Sequence, residues 1–467
     1  MTAAPVDLRI DGADWLLTLD RGRRILRDAA VAARDGVIVA VGRTAEVAAA
    51  HPARRVVDAR GMVVTPGLVD GHIHTTFAMS RGLADEVGSR RFLFERMYPY
   101  EAALDEDDAR VAVELAVLEL LGNGVTTFID AGNYQPHVTA EVAGRAGVRC
   151  VVARSTFDVT RSAMGRLPAA FIETTGEALE RAEAAVTALH GAHGGRVHAW
   201  FQFRGLNNST DALIVGLKRL ADRHGVGVQA HACFARDTMT SSLERHGVTE
   251  IERLARLGAL GPNVLLVHCG WATDLELELL RRHDVKVVAA PSSSLHNAYG
   301  NIVRGHVPEL LEAGVAVGLG SDHASSGIVD LCQEMFLLAG GYKETREDAA
   351  TLPPERVVEM ATVLGARCAL RDDEIGALEP GRRADLVLFD AARPEWQPLY
   401  NPVANLVYSA TGRSVHTVIA DGRVVVEGGR VLTLDAAAIV EAARTRAPAI
   451  LERTGLGAAA APRWPVT

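Results

Sequence analysis

Cysteine is scarce, basic clusters are absent and no apolar run is long, and each shortage closes off a class of protein. The five cysteines among 467 residues, Cys150, Cys233, Cys269, Cys332 and Cys368, are odd in number and widely scattered. That pattern argues against a disulfide framework and for a reducing compartment. No segment stays apolar for the roughly 18 residues a membrane span needs, and the opening Met-Thr-Ala-Ala-Pro-Val-Asp has no basic stretch leading into an apolar one. A soluble, cytoplasmic protein is expected. Lys and Arg never cluster beyond a few residues, and a net charge of -9 is spread over many short segments. Nucleic acid and anionic membranes are therefore not expected partners, and a small neutral molecule is. No fixed-period repeat is present, which excludes solenoids and propellers.

The chain does have length and core material: 48% of its residues are hydrophobic and 23% charged, enough for one large barrel with a smaller unit attached. Residues 1–62 read as short β-like pieces punctuated by Asp11-Gly12, Arg21-Gly22 and Asp35-Gly36, which are turn signals. From residue 63 to 372 the pattern changes to apolar runs of strand length alternating with amphipathic segments. Eight such runs are found, at 67–74, 125–131, 148–154, 197–203, 226–231, 264–268, 285–290 and 315–320. Helical stretches at 107–121, 177–189, 211–224 and 274–283 lie between them, with Asp105, Ser209 and Thr273 as candidate N-caps. Eight strand-helix pairs predict a (β/α)8 TIM barrel.

Residues 373–435 return to β-like character in 384–390, Leu406-Val-Tyr, 415–420 and 423–426, with a turn at Ala420-Asp-Gly-Arg. The two flanking segments are thus expected to pair into one small composite β-sandwich. A helix from Ala436 toward Glu452 and a mobile Gly457-Ala-Ala-Ala-Ala-Pro tail complete the 436–467 segment.

The chemistry centres on Thr65-Pro-Gly-Leu-Val-Asp-Gly-His-Ile-His. His72 and His74, one residue apart at the end of an apolar run, share one face of a strand because side chains alternate with period two. Alone, such a pair is as consistent with a half-buried polar strand as with a metal site. Barrel active sites, however, lie at the C-terminal ends of the strands. His231 ends the fifth run, His268 ends the sixth, and Asp322 follows the eighth in Gly-Leu-Gly-Ser-Asp-His. Four separate strands placing metal-type ligands at one rim is hard to reconcile with chance.

These motifs, in this order and with the late Gly-Ala-Leu-Glu-Pro-Gly-Arg-Arg-Ala-Asp-Leu-Val segment, resemble the amidohydrolase superfamily over nearly the whole chain. The resemblance is closest to the mononuclear-metal deaminases and chlorohydrolases that act on purines, pyrimidines and s-triazines. It implies that His72, His74, His231 and Asp322 hold one divalent ion, Zn2+ first, with Fe2+, Mn2+ or Co2+ also compatible. His268 would lie beside it. Three imidazoles and a carboxylate leave a position for a water of lowered pKa. Asp322 would then accept that water's proton and His268 would polarise the substrate. No lysine ends the fourth run, which argues against a carbamylated-lysine bridge between two metals. A homodimer is the default expectation.

One departure bears on the reaction. Members of that branch carry a proton-shuttling glutamate three residues after the fifth-strand histidine, where this chain has Phe234. Asp237, His296 and His323 are candidate replacements. Without that glutamate the reading favours hydrolysis of an amide, urea or carbamate. The alternatives are an aminohydrolase or chlorohydrolase of a purine-, pyrimidine- or triazine-like ring, and a catalytically silent scaffold. Phe234, His296, Asn297, His323, Phe94 and Met97 are candidate substrate contacts, the last two from the lid-forming segment after strand one, which also holds Phe92 and Tyr98. Cys233 and Cys269 flank ligand histidines, but alternation turns them toward packing. Trp200, Phe201 and Phe203 read as packing residues; His190, His193, His246 and His283 read as solvated.

Overall fold

The first strand, Val6–Ala13, lies in a sheet built entirely from the N-terminal segment, yet the sheet packed against it needs both ends of the chain. The computed structural model describes residues 4–325 and 327–466; the other residues of the N-terminal and tail segments lie outside the described residues. Seven strands precede the barrel: β1 (Val6–Ala13), β2 (Trp15–Leu17), β3 (Ile25–Leu26), β4 (Ala29–Arg34), β5 (Val37–Arg43), β6 (Ala53–Asp58) and β7 (Met62–Pro66). The barrel strands are β8 (Leu68–Ile73), β9 (Val125–Asp130), β10 (Arg149–Ala153), β11 (Val197–Gly205), β12 (Val228–Ala232), β13 (Val264–His268), β14 (Lys286–Ala289) and β15 (Val317–Leu319). Four more follow: β16 (Leu386–Asp390), β17 (Val415–Ala420), β18 (Arg423–Glu427) and β19 (Arg430–Val431).

Strands β8 to β15 form one parallel sheet in sequence order, each joined to the next by a helical crossover, as the eight apolar runs predict. Its two edges meet at the site. The Asp322 N–H donates to the His72 carbonyl at 2.8 Å, and the His74 N–H donates to the Asp322 carbonyl at 2.5 Å. Gly320 makes this approach feasible, since a Cβ there would stand 2.8 Å from the His72 nitrogen. Asp70 ties the seam from below: it accepts the Ser321 hydroxyl at 2.6 Å and the His72 N–H at 3.1 Å. Burial pushes its carboxyl up to about 6.

The sandwich has a four-stranded sheet, β5-β4-β1-β6, and a seven-stranded one, β19-β18-β17-β16-β7-β2-β3. The two ends of the chain join where β16 runs antiparallel to β7, Leu386 opposite Pro66 through Asp390 opposite Met62. Between the sheets, Leu8, Ile10, Val31 and Val64 pack on Leu386, Leu388 and Ile419. The β17–β18 turn follows its sequence signal, with positive φ at Asp421 (53°) and Gly422 (75°). Beneath the barrel, buried Arg149 at the start of β10 pairs with Asp385 at 3.0 Å and Asp421 at 2.8 Å, locking barrel to sandwich. Asp385→Ala leaves the buried guanidinium with Asp421 as its remaining carboxylate partner. We expect it to cost about 1.5–3 kcal/mol in denaturant unfolding.

Three local expectations need correction. Leu406-Val-Tyr is helical, within Pro402–Tyr408, because Asn401 caps the Val403 and Ala404 amides and Pro402 occupies the first turn. The N-cap of Asp211–His224 is Thr210, whose oxygen accepts from Leu213; Ser209 instead donates its hydroxyl to the Gly205 carbonyl. The tail after Thr454 is ordered into a short helix, Gly457–Ala460, with Leu456 and Ala459 packed on the cluster of Phe77, Phe92, Tyr100 and Ile450. Among the described residues no helix is long and apolar enough to cross a membrane.

Candidate active site

Five strand-end residues converge at the C-terminal mouth of the barrel. His72 lies in β8 and His74 directly follows it, His231 lies in β12, His268 ends β13, and Asp322 follows β15. The His74 and His231 Nε2 atoms lie 3.3 Å apart. Asp322 reaches His72 Nε2 at 3.5 Å, His74 Nε2 at 3.6 Å and His268 Nε2 at 3.8 Å. All five are buried or nearly so. Backbone conformation contributes, because His268 (φ 78°) and Asp322 (φ 61°) are held in the left-handed region that non-glycine residues avoid. Such strain persists where the surrounding structure enforces it and clusters at functional sites.

The electrostatics suit a cation. Burial, then neighbouring Arg204 and His72, holds His74 well below the usual imidazole range; burial, then His72 and His268, does the same for His231. Both are neutral at pH 7, the form in which imidazole binds a metal. The Arg204 carbonyl lies 2.8 Å from His231 Nδ1, which makes Nδ1–H the donor and turns the Nε2 lone pair inward. Burial opposes ionisation of Asp322, but His323, His72 and His268 outweigh it and keep the carboxyl well below its ordinary value. Burial lowers His268 to about 4 despite the opposing pull of Asp322.

Within this arrangement neither ring nitrogen of His72 has a hydrogen-bond partner among the described residues. Ligand atoms of His72, His74 and His231, and those of His72, His268 and Asp322, lie within 4.8 Å of one another. An orphaned buried imidazole amid two neutral ones and a carboxylate fits a divalent ion held by nitrogen and oxygen. The fourth strand contributes Arg204, and its guanidinium is committed to buried Glu101 and the Ser155 hydroxyl.

A cavity partly open to solvent extends from these residues. Phe234, His323 and Phe94 line it, together with Phe92, Leu93 and Tyr98 from the segment after β8. That segment includes a π-helical turn, Phe92–Met97, a distortion frequent at functional sites. Met97 is not among the lining residues: it is fully buried and receives the Ser80 hydroxyl on its sulfur. His296 and Asn297 also lie off the cavity wall. His296 pairs with Asp85 at 3.1 Å, and the Asn297 amide donates to the Ser293 carbonyl. Asp237 is off it too and accepts the Ser89 hydroxyl. The packing readings of Trp200, Phe201 and Phe203 agree with their burial in the main core. Cys233 and Cys269 are buried thiols whose pKa burial raises, and neither joins the ligand set.

Sequence reasoning missed Arg204, Asn207 and Glu250 as lining residues. Arg204 could have been found, since it sits at the end of the fourth run. Glu250 carried no signal, being nineteen positions beyond His231 at the start of a helix.

Comparison with known proteins adds independent findings. The amidohydrolase family model matches residues 63–425. The chain is 32% identical over 441 residues to a 5'-deoxyadenosine deaminase of Methanosarcina acetivorans, covering 94% of this chain and 97% of that protein. It is 34% identical over 432 residues to a 5-methylthioadenosine/S-adenosylhomocysteine deaminase of Syntrophobacter fumaroxidans, covering 92% and 95%. Its fold superposes on the crystal structure of an adenosine deaminase from Xanthomonas campestris with bound zinc, with a TM-score of 0.89, 28% identity and coverage of 96% and 99%.

Proposed function

The chain belongs to the amidohydrolase family and is a metal-dependent hydrolase of non-peptide C–N bonds in small molecules, and from that premise we propose an acyl-type substrate. It is an amide, urea or carbamate, hydrolysed at a site where His72, His74, His231 and Asp322 hold one Zn2+. The observation that carries the choice of bond is Phe234. Its ring stands 5.7 Å from the His268 ring and 5.4 Å from Tyr299, an apolar wall that offers the several polar nitrogens of an amino-heterocycle no hydrogen-bond partner at that position.

A divalent ion supplies a Lewis acid that makes water nucleophilic near neutral pH. The rest is the work of the chain. Asp322, ionised and facing four imidazoles, accepts a proton from the attacking water. His268 is neutral at pH 7, so a ring N–H can hydrogen-bond the oxygen on which negative charge develops. The aromatic walls of Phe92, Phe94, Tyr98 and Phe234 favour a neutral, largely apolar substrate.

A second reading, deamination of an adenine-type ring, is favoured by the names of the relatives at 32% and 34% identity. Turnover of the zinc-loaded protein with anilides, ureas, carbamates and aminopurines separates the two. Release of an amine from the first three classes is expected. Ammonia from an aminopurine at a higher kcat/KM would establish the second reading instead.

A further inference from the structure

Among the described lining residues, the one carboxyl of the cavity besides Asp322 is Glu250, and the mechanism above does not use it. We propose that Glu250 is a catalytic acid that protonates the leaving nitrogen, taking over from farther along the same β12–β13 connection the task expected of position 234. This extends the C–N hydrolysis described above and holds for either class of substrate.

The geometry argues for it. Glu250 begins the helix Glu250–Arg256 and is only 2% exposed. Its Oε2 accepts the N–H of Cys233, the residue just before Phe234, at 2.5 Å. Its Oε1 accepts from the Asn207 side-chain amide at 3.1 Å, and Asn207 also lines the cavity. The carboxyl is therefore fixed between the rim loops that follow the fourth and fifth barrel strands. Glu276 provides the contrast. Equally buried, it accepts the Ile251 and Thr273 amides and takes no part in lining the cavity, as a purely structural carboxylate would.

The surroundings favour a proton on Glu250. The groups facing it are Glu276 from the helix Asp274–Arg282, Thr238 from Arg236–His246, the Cys233 thiol, and Arg253 one turn along its own helix. Arg253 is already paired with Asp211 at 2.6 Å. Burial first, with Glu276 adding to it, lifts the Glu250 carboxyl to about 7. An acid of that pKa can both lose and regain a proton at neutral pH.

The step balances without any further reactant. A C–O bond forms at the substrate carbon as water's proton passes to Asp322. As the C–N bond breaks, its electron pair stays on nitrogen, which takes the Glu250 proton. The proton left on Asp322 then returns to Glu250 through solvent, so the products are a carboxylic or carbamic acid, or the hydroxylated ring, and an amine or ammonia.

Glu250→Gln tests this in the full-length, zinc-loaded enzyme, since it keeps an acceptor for the Cys233 amide. On whichever substrate class the wild type hydrolyses, kcat should fall about 10²–10³-fold with KM within about threefold. The loss should shrink for substrates with better leaving amines, and the pH limb near 7 should vanish. F234E added to E250Q should recover part of kcat. Independently of turnover, the infrared difference between metal-free wild type and E250Q should show a carboxylic-acid band that titrates near about pH 7, the bands of other buried carboxyls such as Asp70 cancelling. A kcat within about threefold of wild type, a loss equal for good and poor leaving groups, or no such band would each overturn the proposal. If the wild type hydrolyses no acyl-type bond, only the choice of substrate fails, because the infrared result and the comparison on an aminopurine still decide Glu250.

Discussion

His72→Ala is expected to abolish turnover and metal retention together. His72 is the one site residue shared by both groups of clustered ligand atoms, and its two ring nitrogens have no hydrogen-bond partner among the described residues. Removing the ring deletes a donor from the centre of the cluster and takes from the Asp322 carboxylate an imidazole that stands 3.5 Å away. We expect kcat/KM to fall about 10⁴-fold or more, a loss of at least about 5.5 kcal/mol in transition-state stabilisation. Metal analysis after dialysis should show zinc reduced to background, and a zinc titration should not restore the rate. The ring is 1% exposed, so the variant should also melt at a lower temperature while remaining folded by circular dichroism. Turnover persisting in the variant would remove the metal centre from the mechanism, and a wild type with no turnover at all would favour a silent scaffold.

Asp322→Asn separates two roles that the same residue combines. Its backbone closes the barrel through the His72 carbonyl and the His74 N–H, and those bonds do not depend on the side chain. Its carboxylate faces four imidazoles and is ionised well below neutral pH. Asparagine preserves volume and one oxygen ligand but cannot take a proton. The melting temperature should therefore stay close to wild type and zinc binding should weaken without disappearing. Turnover should fall about 10³–10⁴-fold, the scale of losing a general base. A rate within about tenfold of wild type would assign the water's proton to another group, with His323 next in line at 3.6 Å from the same carboxylate.

The largest misreadings from sequence concerned residues whose role depends on a distant partner. His296 and Met97 sit on the segments that flank the mouth, which made them reasonable substrate contacts. Asp85 claims the first, and close packing buries the second. Leu406-Val-Tyr had the composition of a strand, but the Asn401 cap and Pro402 outweigh a three-residue apolar pattern. Phe94 and Phe234, by contrast, line the cavity, on the segments that follow the first and fifth barrel strands.

By itself the sequence determined the barrel and the ligand-bearing rim. Both follow from local periodicity: alternation sends His72 and His74 to one face, and each apolar run carries its last residues to the same end of a parallel sheet. Only the tertiary structure decided how that rim is closed and what else faces the cavity. The seam between β8 and β15 joins His72 to Asp322 across 250 positions, Asp70 ties to Ser321 across 251, and Glu250 reaches the Cys233 amide from a helix that no motif marks. Such contacts are set by which loops meet in space, and no spacing along the chain encodes them. The pair His72 and His74 thus marked the mouth of the barrel, while the folded chain set Phe234 and Glu250 in the wall beside it.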